Sequence, residues 1–586
     1  MTTTSPGAHA VRPPDPKAST RSISLAIVGS GGDGVVLLGN LMLKLAARSG
    51  LYGVQVLSYG PQIRGGESAA VLRLAERPVQ FEGDEVDVLL CFRAGDLVRF
   101  EGQVRLGPGS RVLLDTTDTA PLPAWLGENT PEIFRFPFAR IENGLEIPGD
   151  PKNMLGFGLL CRMVGFEAES ARTALREKFA HRHEALAKNL AAFDRGYGAD
   201  PAPAALTPLT GTGRDLAIET GNEAVARAAI EAGLGFFAGY PITPSSEIME
   251  TLLEEMPPAQ GKVIQAEDEI AALGMVLGAS FGGVPSMTAT SGPGLSLMTE
   301  MLGLSSMAEL PAVIVDCQRA GPATGMPSRT EQGDLFHAVF AGHGDFPRVV
   351  LGAFDVVHAR AVTHRAFQLA ETYQMPVLVL SDAYIAQRSE IHDPTPTPPA
   401  RAQRLRWEPG GAPARFDVTD AHGVGAFRVP GTPQGTYLAA GIEHTLEGRP
   451  TADGTVHHQM NTKRFAKLDA VARATQDAFV VLGRDDATHG VLAWGSTMGV
   501  LREWIALHPD FRAFMPEILE PFPIESFEKW RLGLSDLAVL ELSFQGQLYR
   551  ALAGVTDLTG ARSATRSGGI PLTRRDLDRL LLKEKS

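Results

Sequence analysis

Residues 23–28, Ile-Ser-Leu-Ala-Ile-Val, form an apolar run too short for a buried helix and suited to a strand covered on both faces. The run ends in Gly29-Ser30-Gly31-Gly32-Asp33-Gly34, and residues 35–49 then carry apolar side chains at helical spacing up to Gly50. A strand that turns through glycines into a helix is the start of an α/β layer. The pattern continues, with strands expected at 54–59, 69–74, 86–92 and 111–115 and a helical tail at 168–190. A second block, from about Gly221 to Ala386, repeats it with strands expected at 263–265, 286–290, 313–316, 349–351 and 377–381. Alternating strands and helices predict a mainly parallel sheet, so the fold class is multidomain α/β.

The chain of 586 residues has room for roughly three to five domains. Residues 1–22, rich in Thr, Ser, Pro and Ala, read as a disordered leader. The expected order is then a first α/β domain at 23–198, a linker at 199–214 and a second domain at 215–390. An extended crossover at 391–470 and a last domain at 471–586 complete it. The net charge of −13 and the lack of a Lys/Arg-rich segment argue against nucleic acid as a partner. No apolar run reaches about 18 residues, the start lacks a secretory signal, and a cytoplasmic location is expected. Cys91, Cys161 and Cys317 lie too far apart to suggest a disulfide framework or a four-cysteine cluster.

Several loops carry chemistry. The glycine turn could present backbone N–H groups and a helix N-terminus to a phosphate. Gly29, Gly31 and Gly34 fit a dinucleotide spacing, but no acidic residue follows at the required distance, so that fingerprint is incomplete. Asp33 and Asn40 stand too close together for a thiamine-type metal motif, and no metal site is expected in this chain. A second cluster, Gly60-Pro61-Gln62-Ile63-Arg64-Gly65-Gly66, sets Arg64 beside glycines, where it could meet a phosphate or a carboxylate. In the second block, Tyr240-Pro241-Ile242-Thr243-Pro244-Ser245-Ser246-Glu247 is a loop stiffened by two prolines ahead of a helix. Gln265-Ala266-Glu267-Asp268-Glu269 puts three carboxylates at a strand end, where helix-start charges would also be at home. Thr288-Ala289-Thr290-Ser291-Gly292-Pro293-Gly294 is a hydroxyl- and glycine-rich turn at the end of the next strand.

With Gly321-Pro322-Ala323-Thr324-Gly325-Met326-Pro327-Ser328-Arg329-Thr330-Glu331-Gln332 downstream, these motifs resemble the α subunit of the 2-oxoacid:ferredoxin oxidoreductases. The closest resemblance is to the 2-oxoglutarate type, in which a γ domain is fused ahead of the α domain. Gly495-Ser496 and Gln545-Gly546-Gln547 resemble motifs of that family's transketolase-C-like domain. The resemblance spans nearly all of the chain after the leader. Two departures stand out: Asp33 replaces the family's usual amide, and Ala323 a common Ser.

The resemblance implies three α/β domains: a γ-type, CoA-associated domain, a thiamine-diphosphate pyrimidine-binding domain and a transketolase-C-like domain. It implies oxidative decarboxylation of 2-oxoglutarate with CoA to succinyl-CoA, CO2 and reduced ferredoxin, in a reversible reaction. Glu269, five residues before Gly274, becomes the carboxylate for the cofactor's aminopyrimidine, with Glu267 as the alternative. Thr290, Ser291 and Gly292 become further cofactor contacts. Thr243 becomes a catalytic contact to the reacting end of the 2-oxoacid, beside Tyr240 as a substrate contact. Arg329 is the choice for clamping the C1 carboxylate, with Arg319 as its competitor. Gly31, Gly32 and Arg64 become CoA-phosphate candidates. The diphosphate, its Mg2+ and a [4Fe-4S] cluster are expected on a β subunit, in an α2β2 complex that passes electrons to ferredoxin. The same chemistry on pyruvate, branched-chain or aryl 2-oxoacids is the first alternative. A non-catalytic assembly subunit of the same fold is the second.

Overall fold

The computed structural model describes residues 21–59, 66–126, 131–138, 151–200, 202–394, 397–411, 414–417 and 421–582, and the backbone at 141–142 and 145–146. Nearly all of the expected leader, residues 1–20, and the cluster at 60–65 with Arg64 lie outside the described residues. The described residues divide into two compact units: 21–219 with 388–394, and 220–387 with those from 397 onward.

The first unit is built on an eight-stranded sheet. Its order is Glu132–Phe136, Leu106–Asp115, Val86–Cys91, Ser22–Gly29, Ser68–Ala75, Tyr52–Tyr59, Ser389–His392 and Ala217–Thr220. The first four strands are mutually parallel, as the strand–helix alternation requires. Tyr52–Tyr59 and Ser68–Ala75 pair antiparallel instead. Too few residues join them to hold a crossover helix, so only a hairpin can form. The helical tail expected at 168–190 is two helices, Ala168–Lys178 and His183–Tyr197. The break at 179–182 carries neither Gly nor Pro, so no punctuation marked it.

The second unit holds two sheets. The larger has the order Lys262–Gln265, Phe236–Gly239, Ser286–Thr290, Ala312–Gln318, Pro376–Asp382, Val349–Gly352 and Ile518–Glu520. All its pairs are parallel except the last. Ala312–Gln318 and Pro376–Asp382 are buried along their whole length, and their side chains serve two cores with a period of two. Val313, Val315, Val377 and Val379 pack toward helices Gly221–Ala232, Ser246–Glu255 and Val356–Tyr373. Ile314, Leu378 and Leu380 pack toward helix Glu269–Phe281 and share their core with Leu492, Trp494 and Phe514 of the smaller sheet. Full burial of each such aliphatic side chain contributes about 1.5–3 kcal/mol. The smaller sheet has the order Phe479–Gly483, Phe511–Pro516, His489–Ala493, Asp536–Glu541 and Arg562–Thr565.

The expected extended crossover, 391–470, needs two corrections. Ser389–His392 joins the first unit's sheet beside Tyr52–Tyr59. Its far end is the helix Gly454–Ala474, 21 residues long. That helix was illegible because it buries cations rather than an apolar stripe. Lys463 donates to both carboxylate oxygens of Glu309 at 2.6 Å, and Lys467 donates to one at 2.5 Å, all three residues being buried. Lys and Arg normally mark a solvated face, and only their buried partner reveals otherwise. Among the described residues no helix is long and apolar enough to cross a membrane.

Candidate active site

The four loops that carry the chemical motifs leave the carboxyl ends of four adjacent parallel strands: Phe236–Gly239, Lys262–Gln265, Ser286–Thr290 and Ala312–Gln318. An open parallel sheet binds ligands at this edge. The topology therefore brings together residues spread over about 90 positions.

The three clustered carboxylates have separate fates. Glu267 is exposed. Asp268 caps helix Glu269–Phe281 by accepting from the Ala271 N–H at 2.7 Å. Glu269 is 5% exposed, and no described residue hydrogen-bonds its carboxylate. The carboxylate lies against the next loop, where a Cβ on Gly294 would collide with Glu269 Oε1 and Thr290 Oγ1. A carboxylate without an internal donor in such a position is free to accept a ligand's N–H. Around it, the Thr288 and Ser291 hydroxyls are fully buried without a hydrogen-bond partner, while Thr290 Oγ1 donates to the Ser291 carbonyl at 3.3 Å. A buried acceptor, hydroxyls without partners and a glycine cradle fit the planar, N–H-bearing aminopyrimidine of thiamine diphosphate.

The proline loop is pinned from behind. Asn222 Nδ2 donates to the Pro244 carbonyl at 2.7 Å and to Glu247 Oε2 at 2.8 Å, and Gln387 holds the other Glu247 oxygen at 3.0 Å. Arg319 donates to the Thr243 carbonyl at 2.7 Å. Ser245 stands at the helix N-cap position, yet its hydroxyl bonds back to the Ile242 carbonyl at 3.0 Å rather than capping. Tyr240 and Thr243 themselves are exposed.

The two candidate arginines also part company. Arg319 is buried and committed to the Thr243 carbonyl, and burial lowers its pKa while Asp334 raises it. Arg329 is half-buried, burial lowers its pKa, and among the described residues its guanidinium has no partner. A cavity of ≈ 780 Å³ runs between Gly292, Arg319, Asp334, His337, Phe340 and Gln547. Arg319, not Arg329, stands on its wall; Arg329 packs against the loop at Gly569.

Sequence reading missed Asp316, Asp334 and Gln332. Asp316 is wholly buried and neither of its oxygens meets a donor N–H or hydroxyl. Burial and then the neighbouring Asp334 carboxyl raise its pKa, and burial likewise raises that of Asp334. Asp334 abuts the thiamine-site turn: a Cβ on Gly292 would sit 2.7 and 2.8 Å from its two oxygens. An aspartate inside an apolar strand was the available signal for Asp316, since carboxylates are rarely fully buried without a partner.

In the first unit, Gly31 and Gly32 line a cavity of ≈ 250 Å³ with Ser30, Tyr59 and Glu67. The Ser30 N–H is taken by the Asp33 carboxylate at 2.8 Å, and the Ser30 hydroxyl donates to Asp96 at 2.8 Å. Of these acids only Glu67 lines the cavity; Asp33 and Asp96 hold its Ser30, and burial raises the Asp96 pKa. The third expected contact, Arg64, lies outside the described residues.

Comparison with known proteins accounts for both units. Residues 227–463 match the family described as "Pyruvate flavodoxin/ferredoxin oxidoreductase, thiamine diP-bdg", and residues 24–199 match "Pyruvate ferredoxin/flavodoxin oxidoreductase". The 2-oxoacid:ferredoxin oxidoreductase 2 subunit alpha of Aeropyrum pernix is 32% identical over 74% of this chain and 71% of its own length. The 2-oxoglutarate oxidoreductase subunit KorA of Mycobacterium tuberculosis is 30% identical over 96% and 91%. Among solved structures, the 2-oxoglutarate:ferredoxin oxidoreductase from Magnetococcus marinus, with 2-oxoglutarate, coenzyme A and succinyl-CoA bound, is 32% identical. It covers 96% of this chain and 99% of its own, with a TM-score of 0.87. The chain is a multidomain α/β oxidoreductase with a thiamine-diphosphate-binding domain. It belongs to the 2-oxoacid:ferredoxin oxidoreductase family, among relatives named as alpha subunits.

Proposed function

We propose that this chain is the α subunit of a cytoplasmic 2-oxoglutarate:ferredoxin oxidoreductase. Its reaction is the CoA-dependent oxidative decarboxylation of 2-oxoglutarate to succinyl-CoA and CO2, with electrons leaving to ferredoxin. A β subunit supplies the diphosphate and Mg2+ site and a [4Fe-4S] cluster, in an α2β2 assembly. The carrying observation is Glu269, a buried carboxylate without an internal donor, set among Thr290, Ser291 and Gly294.

Thiamine diphosphate, when bound, supplies a carbon nucleophile and an electron sink for the 2-oxoacid. Glu269 holds the aminopyrimidine by accepting its N–H, and the unpartnered Ser291 hydroxyl and the Gly292 backbone line the same ring. Thr243 presents its hydroxyl, from a loop fixed by Asn222 and Arg319, to the substrate oxygen where charge develops. Arg329 takes the C1 carboxylate in a bidentate hold, because its fork has no internal claim on it. Tyr240 closes the rim on the side chain of the acid. The γ-type unit takes CoA near Gly31 and Gly32, with Arg64 on the phosphates.

The test is anaerobic viologen reduction by the complex purified with its partner subunit, given 2-oxoglutarate, pyruvate or a branched-chain 2-oxoacid, each with and without CoA. CoA-dependent reduction that prefers 2-oxoglutarate supports the reading. Preference for another acid moves the specificity to that acid, and inactivity with every acid overturns the reading.

A further inference from the structure

Two carboxyl groups that touch each other stand beside the cavity, and the established chemistry of the fold does not use them. Asp316 ends no helix, faces no cation and is wholly buried in strand Ala312–Gln318. Its oxygens meet no donor other than the carboxyl of Asp334. Two carboxylates in contact cannot both ionise, so the pair holds a proton. The more deeply buried member keeps it, because the charged form pays the larger desolvation cost there. Asp316 is then a neutral donor and Asp334 the charged acceptor. Asp334 is fixed by its own N–H, which donates to Gln318 Oε1 at 3.1 Å, while Gln318 Nε2 donates to the Ser381 carbonyl at 3.0 Å. Its carboxylate packs on Gly292 and faces the Arg319 guanidinium across the cavity wall without forming an ion pair. Arg319 in turn donates to the Thr243 carbonyl.

Resting on the functional reading above, we propose that Asp316 and Asp334 are a proton-sharing carboxyl pair that positions the two loops of the reaction centre. A neutral Asp316 leaves a single negative charge on Asp334; that charge keeps Arg319 oriented on the Thr243 loop while the carboxylate props the Ser291–Gly292 turn. These are positioning residues: neither touches substrate. The groups facing Asp334 are Asp316, Arg319 and Glu331, with His337 on the same cavity wall. Acidification that protonates Asp334 removes the charge facing Arg319, so turnover gains an acid limb above the usual carboxylate range.

The test uses the complex with its partner subunit and aspartate labelled with 13C at the side-chain carboxyl. The wild type shows an infrared band of a protonated aspartyl group at neutral pH. Asp316→Asn, which preserves the shape and a donor N–H, loses that band but keeps kcat within about threefold and retains the acid limb. Asp334→Asn lowers kcat by about tenfold or more and abolishes the acid limb, with the apparent KM for CoA unchanged. A wild type without the band overturns the pair whatever the activity. Equal losses in the two variants overturn the assignment of proton and charge. A wild type that shows the band yet reduces viologen with no 2-oxoacid overturns the positioning role together with the functional reading.

Discussion

Gln332 is joined to Leu542 at both ends: its backbone N–H donates to the Leu542 carbonyl at 2.6 Å, and its Oε1 accepts from the Leu542 N–H at 2.8 Å. The side-chain amide N–H donates to the Trp494 carbonyl at 2.8 Å, and just beyond Gln332 the Gly333 carbonyl and the Phe336 N–H are clasped by Gln547. One fully buried glutamine thus staples the loop after Arg329 to the smaller sheet. Gln332→Ala orphans the buried Leu542 N–H, at about 1–3 kcal/mol, and leaves the Trp494 carbonyl with the Thr497 hydroxyl alone. The expected result is a thermal unfolding midpoint lowered by several degrees, read by calorimetry of the purified chain; an unchanged midpoint contradicts the staple.

Glu443 makes the acid stability of the crossover measurable. Burial pushes its carboxyl up, but hydrogen bonds from Arg464 and then His457 outweigh burial and bring it down to about 2. Arg464 meets its two oxygens at 2.6 and 3.2 Å. A depressed carboxyl stabilises the fold above its unfolded pKa and loses that contribution as pH falls through the folded value. The contribution, on the order of 2–3 kcal/mol, is therefore full above about pH 4.5 and fades toward pH 2. Denaturant titrations of wild type and Glu443→Gln between those pH values should converge on acidification. Parallel curves would show that the pair carries no charge-dependent stability.

The two arginines make opposite predictions. Arg329→Ala should raise the apparent KM for the 2-oxoacid by about tenfold or more, the worth of a charge-assisted hydrogen bond, with little change in kcat at saturation. Arg319→Ala should chiefly lower kcat, because the Thr243 loop loses its tether. Steady-state kinetics on both variants decide it, and an interchange of the two patterns would exchange the roles.

Much of this was legible in the sequence, for identifiable reasons. Short apolar runs with glycine turns locate the strands of both units, since a strand buried on both faces has little other sequence to adopt. The chemical loops were visible because prolines, hydroxyls and acids gather at strand ends. What stayed hidden depends on partners distant in the chain. Lys463 and Lys467 look solvent-facing until Glu309, over 150 residues earlier, is set beneath them. Among Glu267, Asp268 and Glu269, only the fold distinguishes an exposed acid, a helix cap and a buried acceptor. Asp316 and Asp334 are 18 residues apart and carry no motif, so their contact is a product of the sheet edge.

We propose Glu269 as the acceptor of the cofactor's aminopyrimidine. Reconstituting the wild-type and Glu269→Gln complexes with thiamine diphosphate, and following the near-ultraviolet circular dichroism of the bound cofactor together with viologen reduction, tests it most directly. The Glu269→Gln complex should stay intact, bind the cofactor with an altered dichroism and turn over about a hundredfold or more slowly. A Glu269→Gln complex with wild-type dichroism and near-normal turnover would contradict it.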